Sequence, residues 1–297
     1  MIKSRVVFVL GAGASKPYGY PSGPELVGNM LGLQADVVKI IEAHGYTQKQ
    51  WGPFQDALKK SAQSSIDAFL ERRSDMRELG KLLIASYILR CENEGPFYNT
   101  EDHWYPMLVD KLDDPFDNLD FSNTTIVTFN YDRSLEQFLF QCLCNRHNKG
   151  ADEVARLLSR LRIIHVYGHV GPLDWQVTGG RTYSPELIPS EVRIAAEGIK
   201  IISEGRDDSA ELTEARELIS GAKTMIYLGM AYHPDNMRRL GLLRQPDKTA
   251  RATSGSGFRL THAEREYYHH TYAIDRIGSD NEQSRIFLRN NPDFLRL

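Results

Sequence analysis

Cysteine is scarce: Cys91, Cys142 and Cys144 are the three in 297 residues. An odd, sparse set builds no disulfide framework and fits a reduced, cytosolic compartment. It also supplies no pair of Cys-x-x-Cys knuckles, which excludes a structural zinc ribbon, and no metal is expected. Long apolar runs are missing too. No stretch approaches the roughly 18 residues of a membrane span, so no membrane association is expected. The apolar run nearest the N-terminus, Val6 to Leu10, leads into a glycine turn rather than a cleavage site and reads as a buried strand instead of a secretion signal. Charge of one sign is not in excess either. With 36 Lys and Arg against 39 Asp and Glu, the net charge of −3 gives no global field toward nucleic acid or an anionic surface, and no direct nucleic-acid binding is expected. Internal repeats and low-complexity linkers are also absent.

What remains is a globular composition, 41% hydrophobic and 25% charged. Residues 5–10, 124–132, 161–171 and 224–231 read as buried strands, rich in β-branched and apolar residues and ended by glycine or polar turns. Between the first two, residues 22–122 are mostly helical, with Ile66, Phe69, Leu70, Leu79, Leu82, Leu83, Tyr87 and Leu89 near a period of three to four. Residues 134–147, 192–204 and 209–220 also read as helices. After Met237 the pattern predicts a helix, a Gly/Ser loop at 253–257 and a polar helical tail. Strands alternating with helices predict an α/β fold, a Rossmann-like doubly wound parallel sheet. The expected organisation is a single domain over 1–297 with a helical insertion at about 25–122.

Gly11-Ala12-Gly13-Ala14-Ser15 follows the first strand directly. Glycines there permit a tight turn and close backbone approach to a pyrophosphate, and Ser15 can cap the next helix or bond a phosphate. Position 16 is Lys, so the third glycine of the dinucleotide fingerprint is missing, and a plain βα turn is the alternative. Thr128-Phe129-Asn130-Tyr131-Asp132 stands at a strand's C-terminal end, where open parallel sheets bind ligands. Asn130 suits the orientation of a ribose hydroxyl or a water, whereas Asp132 reads equally as an Asx-turn that caps the following helix. His165, Tyr167 and His169 alternate along the third strand, and a period of two predicts one shared face. A neutral imidazole there can act as a general base, and a satisfied core histidine is the alternative. Gly229 again permits close backbone approach, and Asn236 is in reach of a ribose.

Together these segments resemble the sirtuin-like family, in particular its branch among prokaryotic antiviral-defence proteins. Gly11 to Ser15 resembles the loop that contacts the NAD phosphates, and Thr128 to Asp132 the segment whose Asn and Asp line the nicotinamide–ribose pocket. His165 to Gly171 resembles the segment of the catalytic His-Gly pair, although strict alignment puts Tyr167-Gly168 at that pair. Leu228-Gly229-Met230-Ala231 resembles the strand end on the adenosine side, and Ser65 to Leu70 a helix often seen in the defence branch. The resemblance covers roughly residues 5–240 and lacks the zinc ribbon of protein deacylases, which argues against acetyl-lysine chemistry.

It implies an NAD glycohydrolase with NAD as substrate and without metal, acting in antiphage defence through NAD depletion. The implied catalytic set is Asn130, His165, Asp132 and His169, with His165 favoured as base. The implied NAD contacts are Gly11, Ala12, Gly13, Ser15, Thr128, Asn130, Tyr131, Asp132, Tyr167, Gly168, Gly229, Met230 and Asn236. A homo-oligomer or a defence-system partner protein is expected to gate it. A module that senses NAD or ADP-ribose without cleaving it is the alternative, and an NAD-dependent deacylase a weaker one.

Overall fold

Short apolar runs with both faces covered make the centre of the molecule. The structure is a computed structural model that describes residues 2, 4–99, 101–201, 209–242 and 251–292. Its strands are β1 (Val6–Leu10), β2 (Thr124–Thr128), β3 (Arg162–His165), β4 (Thr224–Leu228), β5 (Ala252–Gly255) and β6 (Arg276–Ile277). They form one sheet in the order β3-β2-β1-β4-β5-β6, every neighbouring pair parallel. β1, β2 and β4 are buried along their whole length, as strands sandwiched between helical layers must be. This is the Rossmann-like, doubly wound α/β arrangement. The chain builds outward from β1 through β2 to β3, then returns to lay β4 on the other side of β1, so the direction of winding reverses between β1 and β4.

Between β1 and β2 lie α1 (Ala12–Ser15), α2 (Gly23–Leu31), α3 (Ala35–Ala43), α4 (Gln48–Lys60), α5 (Ile66–Arg72), α6 (Arg77–Leu89), α7 (Pro96–Asn99) and α8 (Tyr105–Leu112). β2 leads into α9 (Ser134–His147) and α10 (Ala151–Leu158), and β3 into α11 (Pro189–Glu197) and α12 (Ala210–Ser220). β4 is followed by α13 (Pro234–Arg239), β5 by α14 (His262–Tyr272) and β6 by α15 (Ser284–Asn290). α6 is the hub of the helical layer. Its residues from Leu79 to Leu89 are almost all buried, as expected for a helix apolar on every side, and it packs on α3 and α11. Gly80 admits α5 closely, because a Cβ there would lie 2.6 Å from the Leu70 side chain. Ser65 caps α5 by accepting from the Ala68 N–H at 3.4 Å. Packing and cap together fix the rotation of α5, and with it the direction of Asp67 and Glu71.

Four expectations need correction. Only 256 and 257 of the loop expected over 253–257 lie outside a strand: Ala252–Gly255 is β5, paired to β4. Its residues are small because neighbouring tyrosines press on them, and a Cβ on Gly255 would lie 2.8 Å from Tyr227 Cβ. The third strand stops at His165, since Gly168 turns back with φ +68° and donates to His165 O at 3.0 Å. The helix expected over 192–204 spans Pro189–Glu197, and residues 202–204 lie outside the described residues. The tail is not wholly helical, because Arg276–Ile277 adds β6 between α14 and α15, and 293–297 lie outside the described residues.

Candidate functional site

The reversal of winding leaves a crevice beyond the C-terminal ends of β1 and β4, and its floor is made of glycine. Gly11 N–H donates to Leu228 O and Gly13 N–H to Gly229 O, both at 3.0 Å. A Cβ on Gly11 would lie 2.6 Å from Gly229 O, and one on Gly13 2.8 Å from Gly229 Cα. Gly229 has φ +61°, and a Cβ on it would collide with the backbone of Gly13 and Ala14. The glycines therefore bring the β1 and β4 turns into direct backbone contact. Trp104 holds the same turn, donating through Nε1 to Ala14 O at 2.8 Å.

Above this floor opens a cleft of about 590 Å³, a size ordinary for a cofactor-sized ligand. Gly11, Ala12, Gly13, Gly229, Met230 and Ala231 line the floor, with Phe129, Asn130 and Tyr167 at the β2–β3 end. Asp67 and Glu71 of α5 and Asp235, Asn236 and Arg239 of α13 form the walls, and Ser256, Phe258 and Arg259 lie at the β5 end. From β2 to β5 is three strand spacings of about 4.8 Å, roughly 14 Å in all, so the cleft is elongated along the sheet edge.

Asn130 is 9% exposed and its amide has an unambiguous orientation. Nδ2 lies 3.0 Å from Gly11 O, a carbonyl that only accepts, and 2.9 Å from Ser15 Oγ. Both acceptors take up Nδ2, and Asn130 lines the cleft at this end. Tyr167 donates to Asn236 Oδ1 at 2.7 Å and accepts from Arg239 at 2.6 Å. Arg239 also pairs with Glu71 at 2.6 Å, so α13 and α5 are tied across the cleft. Tyr131 donates to Asp67. Burial pushes both carboxyls, Asp67 and Glu71, above the ordinary carboxylate range, against the pull of Tyr131 on the first and Arg239 on the second. Asp67 and Glu71 were not expected as site residues. Their spacing of four puts them on one helix face, but such a pair usually marks a solvated face and does not by itself point to a site.

The other expected residues lie behind this wall. Asp132 accepts from Ser134 N–H at 3.1 Å and from the Ser134 hydroxyl, an Asx-turn that leads into α9. Burial raises its carboxyl, opposed by the hydrogen bonds of Ser134 and Ser15. Thr128 Oγ1 accepts from Asn130 N–H at 3.0 Å. Ser15, Thr128, Asp132, Glu136 and His165 share a void of about 10 Å³, no more than a single water needs. The shared face expected for His165, Tyr167 and His169 does not form. A period of two holds only while the backbone is extended, and the turn at Gly168 sends Tyr167 into the cleft. His165 and His169 sit together on the other side, ring centroids 4.8 Å apart, and neither lines the cleft. Gly168 does not line the cleft. It is required because a Cβ would strike Gly198 O where the two segments bridge.

Among the described residues no three His, Cys, Asp or Glu side chains gather as a metal site, and no helix is long and apolar enough to cross a membrane.

No family model matches the chain, and no curated protein matches it. Among solved structures it is similar to a histidine-to-tyrosine mutant of Sir2 with a p53 peptide and NAD, at 14% identity and a TM-score of 0.40, over 97% of this chain and 92% of that one. It is similar also to a structure on sirtuin substrate affinity, at 14% identity and a TM-score of 0.39, over 96% of this chain and 92% of that one. At that degree of likeness nothing about the site is carried over from either.

Proposed function

We propose that the protein is an NAD glycohydrolase that cleaves NAD to nicotinamide and ADP-ribose. The observation that carries this reading is the elongated cleft at the switch point of the sheet, floored by the Gly11–Gly13 turn and ended by Asn130. In this reading NAD lies along the sheet edge, its pyrophosphate over Gly11 to Gly13 and its nicotinamide ribose at Asn130. Breaking the bond between nicotinamide and ribose C1′ leaves an oxocarbenium-like centre, and water adds to it on release of a proton. Asn130 Oδ1 accepts from the ribose or from that water and so orients the attack. Asp67 and Glu71 wall the same cleft and, through Tyr131 and Arg239, hold those side chains in place around the substrate.

This reading moves the histidines out of contact with the substrate. Asp132, Ser15 and Thr128 likewise act on Asn130 from behind. The resemblance to defence-branch sirtuin-like proteins supports a role in antiphage NAD depletion, with gating by a homo-oligomer or a partner protein.

The test is nicotinamide release from NAD by the purified chain over a range of protein concentrations. We expect turnover by the wild type and a loss on the order of 10²-fold or more in Asn130→Ala, with NAD still bound. A second reading, an NAD or ADP-ribose sensor, is favoured by the absence of both histidines from the cleft. Tight NAD binding with no nicotinamide released at any concentration would select it.

A further inference from the structure

We infer that His165 is a positioning residue which grips the Asn130 backbone as a doubly protonated imidazolium and takes no proton from the substrate. Its consequence for catalysis rests on the glycohydrolase reading, while the grip itself is independent of that reading.

Nδ1 lies 2.8 Å from Asn130 O, a carbonyl that can only accept, so Nδ1 carries a hydrogen. Nε2 lies 2.8 Å from Glu136 Oε1. Both nitrogens end on acceptors inside the protein, and the ring is 8% exposed, so no lone pair faces the cleft. The shared proton belongs on the ring. Glu136 lies in the first turn of α9, where the helix's free N–H groups stabilise a carboxylate. Burial works against charge on both groups, yet their mutual attraction holds Glu136 below its ordinary range and His165 above its own.

The charged and titratable groups around the ring agree. Glu136 faces it from α9 and Asp132 from the turn between β2 and α9, both favouring the cation. His169 faces it from the turn after β3. That ring donates through Nδ1 to Gly171 O at 3.0 Å, and burial together with His165 and Arg133 pushes it down to about 4, so it stays neutral. Asn130 is then held at its N–H by Thr128, at its carbonyl by His165 and at Nδ2 by Gly11 and Ser15, which leaves Oδ1 alone for the substrate.

The two roles differ in sign. A general base works only after losing its proton, so the rate rises with pH through its titration. A gripping imidazolium works only while it keeps the proton, so the rate falls as pH rises through a midpoint above the ordinary histidine value of about 6.5.

The experiment is a pH titration of the full chain by NMR, with 15N in the imidazole of His165 and in the Asn130 side-chain amide, both assigned by substitution. We expect both ring nitrogens protonated at pH 7 and an Asn130 amide that shifts with the same midpoint. Glu136→Gln should lower that midpoint by about one pH unit or more. A ring neutral at pH 7, or an Asn130 amide indifferent to the titration, overturns the inference whether or not NAD is cleaved. In kinetics, His165→Ala should lower kcat by about 10- to 100-fold with KM little changed, and His165→Asn, which retains an N–H in place of Nδ1, should recover much of it. A rate that rises with pH through the His165 titration also overturns the grip. The NMR signature without any nicotinamide release supports the grip and sinks the glycohydrolase reading.

Discussion

Two constraints meet at Gly229. Its φ of +61° suits glycine, and a Cβ there would overlap the backbone of the glycine turn, which no rotamer change can relieve. Gly229→Ala should therefore destabilise the fold by at least about 2 kcal/mol, read as a lower denaturation midpoint. An unchanged midpoint would mean that the two turns separate freely and that the floor of the cleft is not built as described. At this scale the sequence was informative about backbone and poor about side-chain direction. Gly11, Gly13, Gly229 and Asn130 were legible because each residue type answers a local demand at a strand end. His165 was legible as a residue of interest but not in its role, since that depends on Glu136, which lies 29 positions earlier and looks like an ordinary helix-start acid.

Elements explain why the site has walls as well as a floor. α5 is set by its Ser65 cap and by Leu70 against Gly80, while α13 begins with Pro234 directly after the β4 turn. Arg239, 2% exposed, ties them through Glu71. Removing one member of such a buried pair leaves the other uncompensated. Arg239→Met should cost about 3–5 kcal/mol, and Arg239→Met with Glu71→Gln less than the single change. Additive losses in denaturant unfolding would show that the two residues are not coupled. The same scale shows why β5 escaped a reading by composition. Ala-Thr-Ser-Gly looks like a loop until Tyr227 and Tyr232 are seen to need the space. Asp67 and Glu71 escaped for a related reason: acids four apart on a helix usually mark a solvated face, and only the tertiary fold turns that face into a cleft. β1, β2 and β4 were plain, because buried parallel strands carry their own signal.

For the whole molecule, the order β3-β2-β1-β4-β5-β6 decides where a ligand can lie. The switch point puts the cleft between β1 and β4, and the strands on either side give it a length of about 14 Å from Asn130 toward Phe258 and Arg259. Its walls carry Asp67, Glu71, Asp235 and Arg239, and at the far end Arg259 is exposed over the Phe258 ring.

Amide hydrogen exchange of the Asn130→Ala chain, with and without saturating NAD, tests this most directly, because the variant should hold the ligand without consuming it. Added protection is expected in four separated segments: the turn at 11–16, the stretch 129–131, the turn and helix at 229–239, and the residues at 256–260. Unchanged exchange throughout, or protection confined to segments away from these strand ends, would contradict it.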